Sequence, residues 1–245
     1  YGPNYDYAPM TQDPYTGIWS TQSFAKADLN KQFYFFCVQV YSRYQKRMLG
    51  DCEGFVHNND PYALSMMLNP YDDNAPYSQV IDLNDSDFKP AKWDNNKRPS
   101  LPSAFEDDVV YELHIRDFSA NTLNGVPPEH IGLYKAFTED SAGKRYLKNL
   151  ANRGLTHVQI MPVQDFSSVS ENRSTIFTPD LNTLESFPSN SKEQANYLLP
   201  YINSDAFNWG YDPAQYFVPE GSYATDPSNG SRITELREMI DAIHN

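Results

Sequence analysis

The chain has 245 residues, room for one or two domains. Hydrophobic residues make up 40% of it and charged residues 21%, a balance that buries a core and excludes a disordered tail. Asp and Glu number 32 against 19 Lys and Arg, and the net charge of −13 excludes a non-specific grip on nucleic-acid phosphate. No run nears the ~20 apolar residues of a membrane-spanning helix. The chain opens on Tyr1 rather than Met, as expected of a processed chain or a piece of a longer one, and no signal peptide is visible. Cys37 and Cys52 lack zinc-binding spacing; they are expected to be free and buried, with a single bond between them as the alternative.

In chain order, Asp13-Pro14-Tyr15-Thr16-Gly17 is a turn signal. Phe33 to Tyr41 follows, β-branched, aromatic and short, and reads as strand. Leu49-Gly50-Asp51 breaks the chain again, and Val80-Ile81-Asp82-Leu83 is a second short apolar run. Residues 15–83 are therefore predicted to form a small antiparallel β-sandwich. Residues 84–106 are polar and proline-punctuated, an expected interdomain linker anchored by Trp93.

The pattern then changes. Val109 to Ile115 is a near-continuous β-prone run, as a buried parallel strand should be. Ser141 to Asn152 reads as a helix capped by Ser141, with Tyr146, Leu147, Leu150 and Ala151 as its apolar stripe and Gly154 beyond its end. Thr156 to Met161 is a second strand, stopped by Pro162, which completes a βαβ unit. Arg232 to His244 is the last predicted helix, with Ile233, Leu236, Ile240 and Ile243 on one face. About 65 residues, Asp165 to Ser231, lie between, longer than loops in compact domains usually run. The first half of that stretch is polar, with a helical turn expected near Ser191–Leu199. The second half is dense in aromatics and prolines. The division is thus 1–100 for the sandwich and linker and 101–245 for the β-α-β-α part. Two strands and two helices cannot close a barrel or cover a sheet, so the natural chain is expected to continue past Asn245.

Three strings carry a resemblance. They are Tyr111-Glu112-Leu113-His114-Ile115-Arg116-Asp117-Phe118-Ser119, Gly154 to Val163, and Asn208-Trp209-Gly210-Tyr211-Asp212-Pro213 continued by Val218 to Pro227. Together they resemble the debranching enzymes of glycoside hydrolase family 13, the pullulanases and limit dextrinases, which hydrolyse α-1,6 linkages. Residues ~15–83 resemble the family 48 carbohydrate-binding module that precedes the barrel in these enzymes. The resemblance implies a multidomain β plus α/β fold, an N-terminal sandwich followed by the first β-α-β-α portion of a (β/α)₈ barrel. It implies α-glucan as partner (pullulan, amylopectin or limit dextrin), a monomer, and no organic cofactor.

By the same resemblance Tyr211 is the ring that stacks on the sugar just before the cleaved bond. Asp212 would line that subsite, Trp209 would be a wedge holding the loop, and Asn208 would bond backbone within it. A retaining glycosidase needs two carboxyl groups about 5–5.5 Å apart. In the family these lie on later barrel strands, so no residue here is assigned as nucleophile, acid/base or stabiliser. His114 and His157 are expected within strands as satisfied core residues. Arg116 and Asp117 are expected to end the first strand, and Asp165 to cap a turn. Asp72, Asp73, Asp85 and Asp87 could hold a structural calcium, but their spacing fits no EF-hand loop and a solvated surface is the simpler reading. Trp19 and Trp93 are expected to pack in core or linker. Asn84-Asp85-Ser86, Asn172-Arg173-Ser174 and Asn229-Gly230-Ser231 match a glycosylation pattern common by chance. The rival readings are an isoamylase or glucan-branching enzyme, and a non-catalytic α-glucan-binding protein. Location stays open, with export expected of a bacterial protein of this kind.

Overall fold

The computed structural model describes residues 7–21, 29–49, 56–69, 72–97, 99–100, 102 and 104–245. Cys52, and with it the expected state of the two cysteines, lies outside the described residues. No described helix is long and apolar enough to cross a membrane.

The first region consists of short antiparallel strands. A hairpin joins β1 (Thr11–Gln12) to β2 (Trp19–Ser20). Its turn is closed by Asp13, whose carboxylate accepts the N–H groups of Tyr15 and Thr16, both at 2.8 Å. Trp19 is exposed here rather than packed in a core. The expected single strand Phe33–Tyr41 is three pieces, β3 (Phe33–Tyr34), β4 (Phe36–Val38) and β5 (Val40–Ser42), each pairing elsewhere. β5 forms a hairpin with β6 (Arg47–Leu49), and β4 pairs with β7 (Val56–Asn58). β8 (Ser65–Asn69) and β9 (Asp72–Gln79) form a three-stranded sheet with β3, in the order β3-β9-β8. The apolar run Val80–Leu83, expected as strand, lies outside the sheet. The strand is the polar run just before it, because Ser78 and Gln79 earn their place through buried hydrogen bonds. Ser65 Oγ donates to Gln79 Oε1 at 3.0 Å, and Ser78 Oγ accepts the Asp60 N–H at 2.9 Å.

In the second region β10 (Val110–Leu113) and β11 (His157–Ile160) pair in parallel, Val110 opposite His157 and Leu113 opposite Ile160. Between them lie α1 (Ile115–Ser119) and α2 (Ala142–Ala151). The expected cap of α2 is present: Ser141 Oγ accepts the Lys144 N–H at 3.1 Å. The first strand stops earlier than predicted. Residue 114 turns the chain, and Arg116 and Asp117 lie in α1, not at a strand end.

The long stretch after β11 is not a loop. β12 (Gln164–Phe166) pairs antiparallel with β13 (Pro213–Pro219), and between them lie α3 (Leu181–Ser186) and α4 (Glu193–Leu198); Phe177 stacks on Tyr201 with centroids 3.7 Å apart and lies 6.4 Å from the ring of Tyr197 in α4. The last helix, α5 (Ser231–His244), lies within a residue of its prediction. The core of this region gathers Leu113, Ile115, Tyr134, Phe137, Phe166, Tyr223 and Met239, with Leu147, Leu236 and Ile243 packed against it.

The segment expected as a linker is stitched along α5. Arg237 donates to the Phe88 and Leu83 carbonyls at 2.6 and 3.1 Å and lies 5.0 Å from the centre of the Trp93 ring. Asn96 donates to Asp241 at 2.7 Å. Phe88 is buried against Gly230, whose φ is +78° and whose missing Cβ would stand 2.2 Å from the Phe88 ring. Only glycine satisfies both demands.

Candidate functional site

The string Asn208 to Pro213 forms a short arm that enters β13. Gly210 has φ +73°, and a Cβ there would meet the Pro162 carbonyl oxygen at 2.9 Å, so the arm bends hard against the end of β11. The bend turns Trp209 and Tyr211, the residues on either side, outward; their exposures are 63% and 67%. Trp209, expected as a wedge holding the loop, thus presents most of its ring to solvent. Asp212 is fixed from below: Ser167 Oγ donates to one carboxylate oxygen at 3.0 Å and Ser168 Oγ to the other at 3.2 Å.

Asn208 is the buried root of the arm. Its amide nitrogen donates to the Ala206 carbonyl at 3.2 Å, the backbone bond expected of it. Its Oδ1 accepts the Tyr223 hydroxyl at 2.9 Å and lies 3.0 Å from His114 Nε2. His114 caps α1 through Nδ1, which accepts the Asp117 N–H at 3.3 Å. That bond leaves the proton on Nε2, directed at the Asn208 and Tyr223 oxygens. His114 is thus a buried structural histidine, but at a strand-to-helix turn rather than within a strand. Tyr223 in turn packs edge-on against Tyr134 and Phe166, with ring centres 5.7 Å away in both cases. The knot joins residues 94 and 109 positions apart, and holds the arm on the core.

Below it lies a buried ionic centre that the sequence did not reveal. Arg232, at the start of α5, is fully buried. Its two terminal nitrogens grip Glu171, each at 2.8 Å. They also reach the Pro219 and Pro227 carbonyls at 3.0 and 2.7 Å, and Asp165 at 3.5 Å. Asp165 therefore sits in β12 as a buried partner of Arg232, not as a turn cap. Glu220 completes the centre, accepting the Phe166 and Ser222 N–H groups at 2.9 and 2.7 Å. Three carboxyl groups face one guanidinium. Burial, then the charges of Glu220 and Glu171, push the Asp165 carboxyl up to about 8; burial, then Glu171, pushes Glu220 up to about 7. The centre is sealed from solvent and acts on structure: it clamps β12, β13 and α5 around the root of the arm. A lone Asp165 with an Arg 67 residues later leaves no signature in sequence. Glu220 and Tyr223 do stand in the string Val218 to Pro227.

The exposed part is an open concavity of about 440 Å³ lined by Ser168, Phe207, Trp209, Tyr211 and Asp212 over the Asn208 root. Flat rings beside hydroxyls and a carboxylate match a sugar, whose faces are apolar and whose edge is polar. Phe207 belongs to this wall and was not singled out from sequence. A larger hollow of about 680 Å³ lies between α2 and α5, lined by Lys92, Lys144, Lys148 and the Lys135–Glu238 pair, closed at 2.5 Å; it contains none of the motif residues. Among the described residues no group of three or more His, Cys, Asp or Glu side chains is placed to share a metal ion. Asp85 and Asp87 face Lys31 at 3.2 and 2.5 Å, whereas the Asp72 and Asp73 side chains lie outside the described ones. His157 lies in β11 as expected, half-buried, 3.7 Å from Asp108.

No family model matches the chain. Among curated proteins it is 37% identical to Pullulanase 1, chloroplastic, of Arabidopsis thaliana, over 98% of this chain and 24% of that protein. It is also 37% identical to the pullulanase of Klebsiella pneumoniae, over 96% of this chain and 24% of that protein. Among solved structures, the maltotriose complex of PulA from Klebsiella pneumoniae superposes with a TM-score of 0.82 at 33% identity, covering 96% of this chain and 28% of that one. PulA from Klebsiella oxytoca gives 0.78 at 34% identity, over 96% and 24%. The chain spans about a quarter of the length of the curated relatives it matches.

Proposed function

We propose a function from the premise that this chain is a pullulanase-type segment, homologous to pullulanases over nearly its whole length. It serves a glycoside hydrolase that cuts α-1,6 bonds in α-glucan, and its part is to grip the sugar. Tyr211 stacks on the ring next to the cleaved bond, Trp209 and Asp212 flank it, and Asn208 positions the arm from beneath. Residues 1–100 form the sandwich module and 101–245 the opening β-α-β-α of a (β/α)₈ barrel, whose catalytic face the arm occupies. The two catalytic carboxyl groups, about 5–5.5 Å apart in a retaining enzyme, come from outside residues 1–245. No organic cofactor takes part.

The single observation that carries this reading is the pair of exposed rings, Trp209 and Tyr211, held out from a buried Asn208–His114–Tyr223 knot. The fixed root spares the site the entropy of ordering a free loop on binding. The test is hydrolysis by the full-length protein that carries this chain. Pullulan should yield new reducing ends, and Tyr211→Ala should lower kcat/KM by roughly tenfold to a hundredfold while the fold survives. Cleavage of amylopectin without pullulan would transfer the reading to the isoamylase type. Absence of any hydrolysis, with retained glucan binding, would leave the non-catalytic binding reading.

A further inference from the structure

A second pair of exposed rings lies away from the arm, where the two regions meet. Tyr62 and Phe217 stack with centroids 5.6 Å apart and planes 22° apart. Tyr62 is fixed by the turn before it. Its N–H donates to Asp60 Oδ1 at 2.8 Å, and Asp60 Oδ2 accepts the Tyr34 hydroxyl at 2.6 Å. Phe217 is on β13. Despite their contact the rings are 74% and 55% exposed, and the adjacent Tyr216 is 72% exposed. Above the small core of Ala63, Met66 and Val218 the three rings form one contiguous exposed apolar patch, the kind of surface that marks an interaction site.

The backbone presents these rings. Gln164 and Asp165 are consecutive on β12, yet their partners on β13 are Pro219 and Gln215. Residues 216–218 therefore bulge from the ladder. Strict alternation would turn one of two neighbours inward, but the bulge turns both Tyr216 and Phe217 outward while Val218 stays buried. Bulges re-aim side chains in this way beside binding sites. The same strand leads straight back to the arm. From Tyr211 to Phe217 is at most about 20 Å at ~3.3 Å per residue, a span of a few sugar rings.

We propose that Tyr62 and Phe217, flanked by Tyr216, form a second α-glucan platform that holds one stretch of a polysaccharide while another engages the Tyr211 arm. The proposal rests on the glucan reading above. A neutral polymer suits it, since a chain of net charge −13 repels polyanions. Two linked contacts on one polymer raise its affinity beyond either alone, and a ligand too short to reach both gains nothing.

The test compares the full-length protein with Tyr62→Ala/Phe217→Ala and with Tyr211→Ala, by retardation in native gels containing soluble pullulan and by calorimetric titration with maltotriose. Loss of the platform should raise the apparent Kd for pullulan about tenfold and leave that for maltotriose unchanged. Tyr211→Ala should weaken both. Equal retardation of the double variant and the parent overturns the platform and leaves the glucan reading standing. Absence of retardation of the parent itself overturns both. If the double variant fails to fold, Phe217→Trp takes its place: its fluorescence change on addition of pullulan should exceed that of the parent, whose Trp209 reports the arm alone, and an equal change overturns the proposal.

Discussion

Residues 29–97 and residues 104–245 keep their strands together by different means. In the first region the most deeply buried strand residues are polar: Ser65, Ser78 and Gln79, tied to each other, to Asp60 and to the Lys31 carbonyl. Its small apolar cluster of Ala63 and Met66 is completed by Val218 from the other region, and among its described residues the rings of Tyr77 and Phe88 are buried apart from that cluster. The second region buries whole rings, Tyr134, Phe137, Phe166 and Tyr223, around the Arg232 centre. A net hydrogen bond is worth about 1 kcal/mol, whereas emptying a buried aromatic site costs about 3–5 kcal/mol. The second region therefore holds its strands with the larger apolar core, and the first is fastened to α5 and β13.

Four perturbations break or sharpen that contrast. Arg232→Met leaves Asp165, Glu171 and Glu220 buried without a counter-charge and should cost about 3–5 kcal/mol; an unchanged urea midpoint would refute the role given to the centre. Gly230→Ala forces a Cβ onto the Phe88 ring at a positive φ and should cost about 1–3 kcal/mol. Because it strikes the fastening, calorimetry should resolve two transitions where the parent shows one. The third perturbation is pH. Asp165 and Glu220 titrate higher in the folded chain than unfolded, so between pH of about 4 and about 8 the folded state holds more protons, and stability falls as pH rises through that window. Glu220→Gln, neutral throughout, should flatten the fall up to pH of about 7; an identical slope would show that the group does not titrate there. The smallest effect is expected in the first region, where Ser65→Ala strands Gln79 Oε1 and should cost about 1 kcal/mol in a thermal melt.

Legibility from sequence follows the range of the forces involved. α2 could be read because its cap and stripe lie within a dozen residues, and the parallel pair β10–β11 because its strands are unbroken β-prone runs. The pairing of β12 with β13 was missed. Pro213 begins one strand, and the partners are separated by two helices that a scan of periodicity treats as insertion. In the first region the sheet follows buried serines and a glutamine, so hydropathy pointed to Val80–Leu83 instead. Of the candidate site, the outward residues Tyr211 and Trp209 were legible as a motif. Their supports were not, because His114, Tyr223 and Arg232 act across distances of sequence on which local patterning is silent.

The Arg232 centre also imposes an order on how the chain is made. Asp165, Glu171 and Glu220 leave the ribosome before the residue that neutralises them, Asp165 by 67 positions. At about 5–20 residues per second this is a wait of roughly 3–13 seconds. During that wait closing β12 over the core would bury carboxyl groups that lack their guanidinium and must first take up protons, a cost that favours an open segment until α5 emerges. Nascent chains halted at Gly230 should accordingly be cut by protease between residues 164 and 220, and chains long enough to include all of α5 should resist.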